Sequence, residues 1–271
     1  MAAENEHLRL SGARDSAAML AALGILAYAV SMMTHEALGH GGYCLAAGGH
    51  NVMLTAWGER CDFPGVHGSG IAAAGPGVQF GAGLLAWLVL HLLAPDAARL
   101  RYFFWLYMVF NLLISSGYVA FSGVTDYGDA AVLISGLHPH IVWRGGLILL
   151  GSVVYFLSMR AAALELRRFT GLDDGSGRLS RLVWIPYAAA GVFACATGAL
   201  NQTMGHGVAI GLAAASSFGA DLGLLRLPDM QHGMAPTEHS PSVYVEWSTA
   251  WGVAVSVVVV VFLFFIGPGL A

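Results

Sequence analysis

The residues best suited to chemistry lie near the start of the chain, in MMTHEALGHGGYC. His35, Glu36 and His40 stand in the order H-E-x-x-x-H, directly after an uncharged apolar run over 17–33. Ionisable groups at the end of a membrane-length helix are costly, and where they occur they are paired or functional. Two imidazoles can supply two ligands to a catalytic zinc ion, which commonly takes three protein ligands and a water. A carboxylate beside the first histidine is then placed to take a proton from that water, whose pKa the metal lowers toward ~7. The third ligand must come from elsewhere. Asp129 is the first choice and Asp126 the alternative, both beside Gly128 in FSGVTDYGD. His206, in NQTMGH, is a candidate supporting partner or substitute ligand.

The spacing sets a structural condition. On a regular α-helix, residues five apart diverge by roughly 140°, so His35 and His40 would face different ways. The usual zinc-protease spacing, H-E-x-x-H, puts its histidines four apart. A one-residue π-bulge would bring the two rings together, and Gly39 makes such an irregularity cheap. The motif therefore predicts a bulge between His35 and His40.

The elements that must position these groups are membrane helices. The 271 residues are 57% hydrophobic and 10% charged, with mean hydropathy +0.68. Several apolar runs exceed the roughly 18 residues of a spanning helix. The expected fold is all-α and polytopic, in a single integral membrane domain. A core over 17–136 carries the motif, and additional helices over 141–271 complete it. A net charge of −4 argues against nucleic acid as a partner. Helices are expected at about 16–45, 69–93, 102–121, 141–163, 182–200 and 245–266. The stretch 207–225 is a seventh span or a broken continuation, with Asp221 counting against a full crossing. A short hairpin or loop at the membrane surface should follow the first helix. There Cys44 and Cys61 bracket one loop, either as a disulfide or as two free thiols. The linker LRRFTGLDDGSGRLSR reads as solvent-exposed.

Arginine bias orients the chain. With six spans and a cytoplasmic N-terminus, Arg9, Arg14, Arg99, Arg101, Arg160, Arg167, Arg168, Arg178 and Arg181 fall inside, and Arg60, Arg144 and Arg226 outside. The histidine motif then lies toward the outer side, with His67, Asp126, Asp129, His138, His140 and His206. A bacterial inner membrane is the expected location.

Two resemblances follow from these residues. HEALGH is similar to the zinc motif of dipeptidyl peptidase III, a soluble enzyme with the same five-residue spacing. More widely, HEALGHGGYCLAAGG, then AAAGPGVQF, then the Asn111 helix leading to Asp126-Tyr-Gly-Asp129 together resemble the site-2 protease family of intramembrane zinc metallopeptidases. The resemblance covers about 17–136. It departs from the family in histidine spacing, in a longer run from Asn111 to either aspartate, and in lacking a proline before the aspartate. It implies a zinc-dependent peptidase acting on a membrane protein or peptide within or beside the bilayer. On it His35, His40 and Asp129 would be zinc ligands, Glu36 the catalytic base, and Asn111 a holder of the substrate backbone. Two other readings stand beside it. One is a non-catalytic subunit or scaffold of a larger membrane complex. The other is a redox subunit binding haem or another metal through histidines.

Overall fold

The structure, a computed structural model, describes residues 14–63, 68–169, 176–231 and 243–270. His67, His232 and His239 lie outside them. Of the described residues, 80% are helical. The elements are α1 (Ala17–Ala46), a hairpin of β1 (His50–Leu54) and β2 (Glu59–Asp62), α2 (Gly68–Leu92), α3 (Ala98–Thr125), short α4 (Asp129–Ile134), α5 (His140–Phe169), α6 (Ser176–Leu200), α7 (His206–Gln231) and α8 (Thr249–Ile266). Seven of these helices are long and apolar enough to cross a membrane. Large apolar side chains cover the outside of the bundle, among them Leu85, Leu88, Ile141, Leu149, Leu157, Val257 and Phe264. The chain is an all-α polytopic integral membrane protein with one surface hairpin.

The stretch left open between a span and a broken continuation is α7, long and apolar enough to cross, and its Asp221 turns inward and is only 1% exposed. The helix is irregular there, passing through π (Ala215–Gly219) and 3-10 (Ala220–Arg226) turns. Buried hydroxyls meet the backbone groups this frees: Tyr155 donates to the Ala220 carbonyl at 2.7 Å and accepts from the Gly223 amide at 2.8 Å, and Tyr187 donates to the Phe218 carbonyl at 2.9 Å. Non-regular backbone at membrane depth survives only with such partners.

Helix α3 is the centre, packed against α1, α2 and α5. Its Tyr102, Trp105, Leu106, Met108, Phe110 and Leu113 are fully buried. Lipid tails are as apolar as leucine, so this core is held by close packing and interhelical hydrogen bonds rather than by water exclusion. Small residues set how closely α1 and α2 approach. A Cβ on Gly39 would lie 2.6 Å from the Gly75 Cα, so the two helices touch through backbone at that crossing.

At one end of the bundle, Asp15 accepts from the Arg178 Nε at 2.7 Å and from the Val245 amide at 2.8 Å, tying the starts of α1, α6 and α8 together. Arg178 is therefore sheltered, and the segment expected as an exposed linker is helical from Ser176 onward. At the other end sit the C-terminal part of α1, the hairpin, the loop after α3 and the chain end, where Leu54 and Leu270 pair. Cys44 and Cys61 are joined by a disulfide, which settles the open choice and straps β2 to α1.

Candidate metal centre

The expected bulge is present. Thr34–Gly41 is a π-helical segment within α1, flanked by regular helix. Hydrogen bonding from i to i+5 puts residues five apart on one face. The His35 and His40 rings accordingly meet edge to face, with centroids 4.8 Å apart. Their Nε2 atoms are 3.1 Å apart.

Asp129 completes the cluster. Asp126 caps the C-terminus of α3 in the left-handed region, at φ 57°. Gly128 follows at φ 93°, a conformation open to glycine at little cost. This double turn starts α4 with Asp129 aimed at α1. The Asp129 Oδ2 lies 3.3 Å from the His35 Nε2 and 3.4 Å from the His40 Nε2. Asp126 is not brought to the histidines of α1. It faces outward to His140, 3.0 Å from Nε2, and to Arg144. His206 does not join the cluster either, since its Nδ1 is 3.1 Å from the Ala199 carbonyl in the last turn of α6. His35, His40 and Asp129 form the one all-histidine-and-carboxylate metal grouping found among the described residues. A second grouping, Cys44, Glu59 and Cys61, has both sulfurs committed to the disulfide.

Proton bookkeeping shows what this triangle needs. The His40 Nδ1 is 2.7 Å from the Ile71 carbonyl, which only accepts, so that nitrogen carries hydrogen. The His35 Nδ1 is 3.0 Å from the Gln79 Oε1 and must likewise donate. In their neutral forms both rings then present a bare Nε2 lone pair toward a carboxylate oxygen. Three acceptors within 3.4 Å of one another repel unless a cation, or a proton on one ring, lies among them. Zinc bound tetrahedrally at about 2.0–2.1 Å separates its N and O ligand atoms by about 3.3 Å, matching all three edges. The donor set, two imidazoles and a carboxylate, is also a known catalytic zinc set. With no metal present, a proton on one ring plays the cation's part: burial alone would raise the Asp129 carboxyl, and donation from that His35 or His40 Nε2–H, together with its charge, outweighs burial and holds it at about 2.

Gly75 keeps this space open, because a Cβ there would meet the Nε2 of both histidines, 2.7 Å from that of His35. Sequence reading of AAAGPGVQF missed that the absent side chain of Gly75 leaves room at the cluster. It also missed Gln79, one turn beyond Gly75 on the same face of α2. That i, i+4 spacing was the available signal. Glu59 was missed too, and nothing in the hairpin's sequence marks it. Both Glu59 carboxylate oxygens are buried without a partner, and burial raises its carboxyl even though the charge of His40 pulls it down.

A cavity of about 410 Å³ opens from His35 and Glu36 past Trp57, Tyr28 and Tyr118 to Ser216 and Ala220. Glu36 lines it, with its Oε2 buried and unpartnered. A buried carboxylate oxygen without a donor is costly, and the cavity gives it access to a small polar molecule. Asn111, expected to hold a substrate backbone, is instead fully buried and outside the cavity wall. It donates to the Tyr107 carbonyl at 2.6 Å and accepts from the Ser31 hydroxyl at 3.2 Å.

The chain matches no family model, no curated protein and no solved structure.

Proposed function

We propose that this protein is a multi-pass membrane zinc metallopeptidase resembling the site-2 proteases, acting on a peptide bond of a membrane protein or peptide in or near the bilayer. The observation that carries the reading is the convergence of three acceptor atoms, from His35, His40 and Asp129, beside a cavity that Glu36 also lines. Zinc at that position supplies Lewis-acid charge that eases ionisation of a water and polarises a carbonyl. Glu36 accepts the proton of the attacking water and returns it to the departing amine. The apolar cavity wall holds the substrate segment and keeps bulk water out.

The arginine bias supports an orientation with the cluster on the extracytoplasmic side, and the membrane proposed is a bacterial inner membrane. With α7 crossing, Arg226 joins the nine arginines assigned inside, leaving Arg60 and Arg144 at the end that holds the cluster.

Elemental analysis of purified protein, wild type against His40→Ala, tests the metal. One equivalent of zinc, lost in the variant, is expected, and a zinc-free wild type overturns the reading. Glu36→Gln should keep zinc and lose cleavage of membrane-embedded peptides, whereas undiminished cleavage removes Glu36 as base. Zinc bound by a wild type that cleaves no peptide would instead mark a non-catalytic subunit of a membrane complex.

A further inference from the structure

We infer that Asn111, Ser31 and Gln79 form a one-directional hydrogen-bond relay that fixes which nitrogen of His35 is free to bind metal. This rests on the metal reading above and adds three positioning residues to it, one from each of α1, α2 and α3.

The direction is set at the far end by a group with no choice. The Tyr107 backbone carbonyl can only accept, so the Asn111 side chain must turn its NH₂ toward it, at 2.6 Å. That leaves the Asn111 Oδ1 facing Ser31, whose hydroxyl hydrogen is spent there, at 3.2 Å. The Ser31 oxygen is then an acceptor, and Gln79 must present its NH₂ to it, at 3.0 Å. The Gln79 Oε1 is thereby turned to His35 and requires a hydrogen on Nδ1, at 3.0 Å. Reversing any one link would set two acceptors, or two donors, face to face. Amide orientation is usually a matter of choice; here the chain of partners removes it. Ser31 and Asn111 are fully buried, so no water competes for the bond between them, and Gln79 is 2% exposed where it reaches the cavity wall beside His35. His40 needs no relay, because the Ile71 carbonyl fixes it directly.

Interhelical hydrogen bonding alone would hold three helices together without regard to direction, and the test separates the two roles. Zinc affinity of the metal-stripped full chain in detergent is measured by competition with a chromophoric chelator. Ser31→Ala frees the Gln79 amide to turn its NH₂ toward His35, and zinc affinity should fall about 10- to 100-fold, the usual effect of losing support behind a ligand. Gln79→Glu has only acceptors to offer His35 and should bind zinc at least as tightly as wild type. In that background Ser31→Ala should cost under about threefold. Ser31→Ala binding zinc like wild type, or losing equally in both backgrounds, overturns the relay. If Ser31→Ala does not fold, Ser31→Cys replaces it. If wild type binds no zinc the metal reading fails by itself. The relay is then judged by ¹⁵N NMR of the neutral histidine rings: hydrogen on the His35 Nδ1 is expected in wild type and a shift toward Nε2 in Ser31→Ala, and Nε2–H in wild type overturns it.

Discussion

Two clusters of histidine and aspartate stand at the same end of this bundle, built on aspartates three residues apart, and they differ in kind. The inner one joins His35, His40 and Asp129, with side chains 12–20% exposed and three acceptor atoms turned toward one point. The outer one joins His140 and Asp126, at 34% and 39%, with the Arg144 guanidinium 4.0 Å away. In the outer cluster each carboxylate oxygen has a donor or a cation to meet. Every hydrogen in the inner cluster points backward, into Gln79 and the Ile71 carbonyl, and the front is left without one. Proximity of histidine to aspartate therefore says little; where the ring hydrogens are committed separates a place for a metal from a surface ion pair.

The sharpest break of this comparison is Asp129→Ala against Asp126→Ala. The first should lower zinc affinity by more than about 1,000-fold, since the carboxylate proposed to bind zinc directly is lost. The second should leave affinity within about threefold, read by the same chelator competition. Gly75→Ala should come next. Its Cβ would intrude on both Nε2 atoms, so zinc binding should be lost with a stability cost of about 1–3 kcal/mol from overpacking. Serine at both Cys44 and Cys61 opens a loop spanning 17 residues and should cost about 3 kcal/mol in thermal unfolding. Gly128→Ala asks the aiming turn to hold φ 93° with a side chain, and that side chain would meet Tyr118. A loss of about 1–3 kcal/mol is expected, with weakened zinc affinity as Asp129 swings away. Smallest of all, His140→Ala removes an exposed pair and should change stability by under ~1 kcal/mol. A large loss of zinc on His140→Ala would erase the distinction between the clusters.

The inner cluster was partly legible beforehand. H-E-x-x-x-H after an uncharged run marked His35, Glu36 and His40, and the odd spacing demanded the π segment that Thr34–Gly41 supplies. The choice between Asp126 and Asp129 was not legible, because it depends on one left-handed residue and one glycine turning the chain through a tight corner. Asn111 was singled out only through the site-2 protease resemblance. Its partners, Ser31 and Gln79, come from other helices and no local pattern announces them.

The amino-acid sequence by itself determined that this is a bundle of membrane helices, because hydrocarbon length and hydrogen-bond satisfaction leave few other solutions for such runs. It also determined that one helix carries two histidines, a residue type able to bind metal, at a spacing a regular helix cannot use. Only the tertiary structure decided which aspartate meets them, that Asp221 turns inward within a continuous α7, and which face of each imidazole carries its hydrogen. Those outcomes depend on backbone carbonyls and amides brought together from helices distant in the chain, and their geometry exists only once the helices are packed.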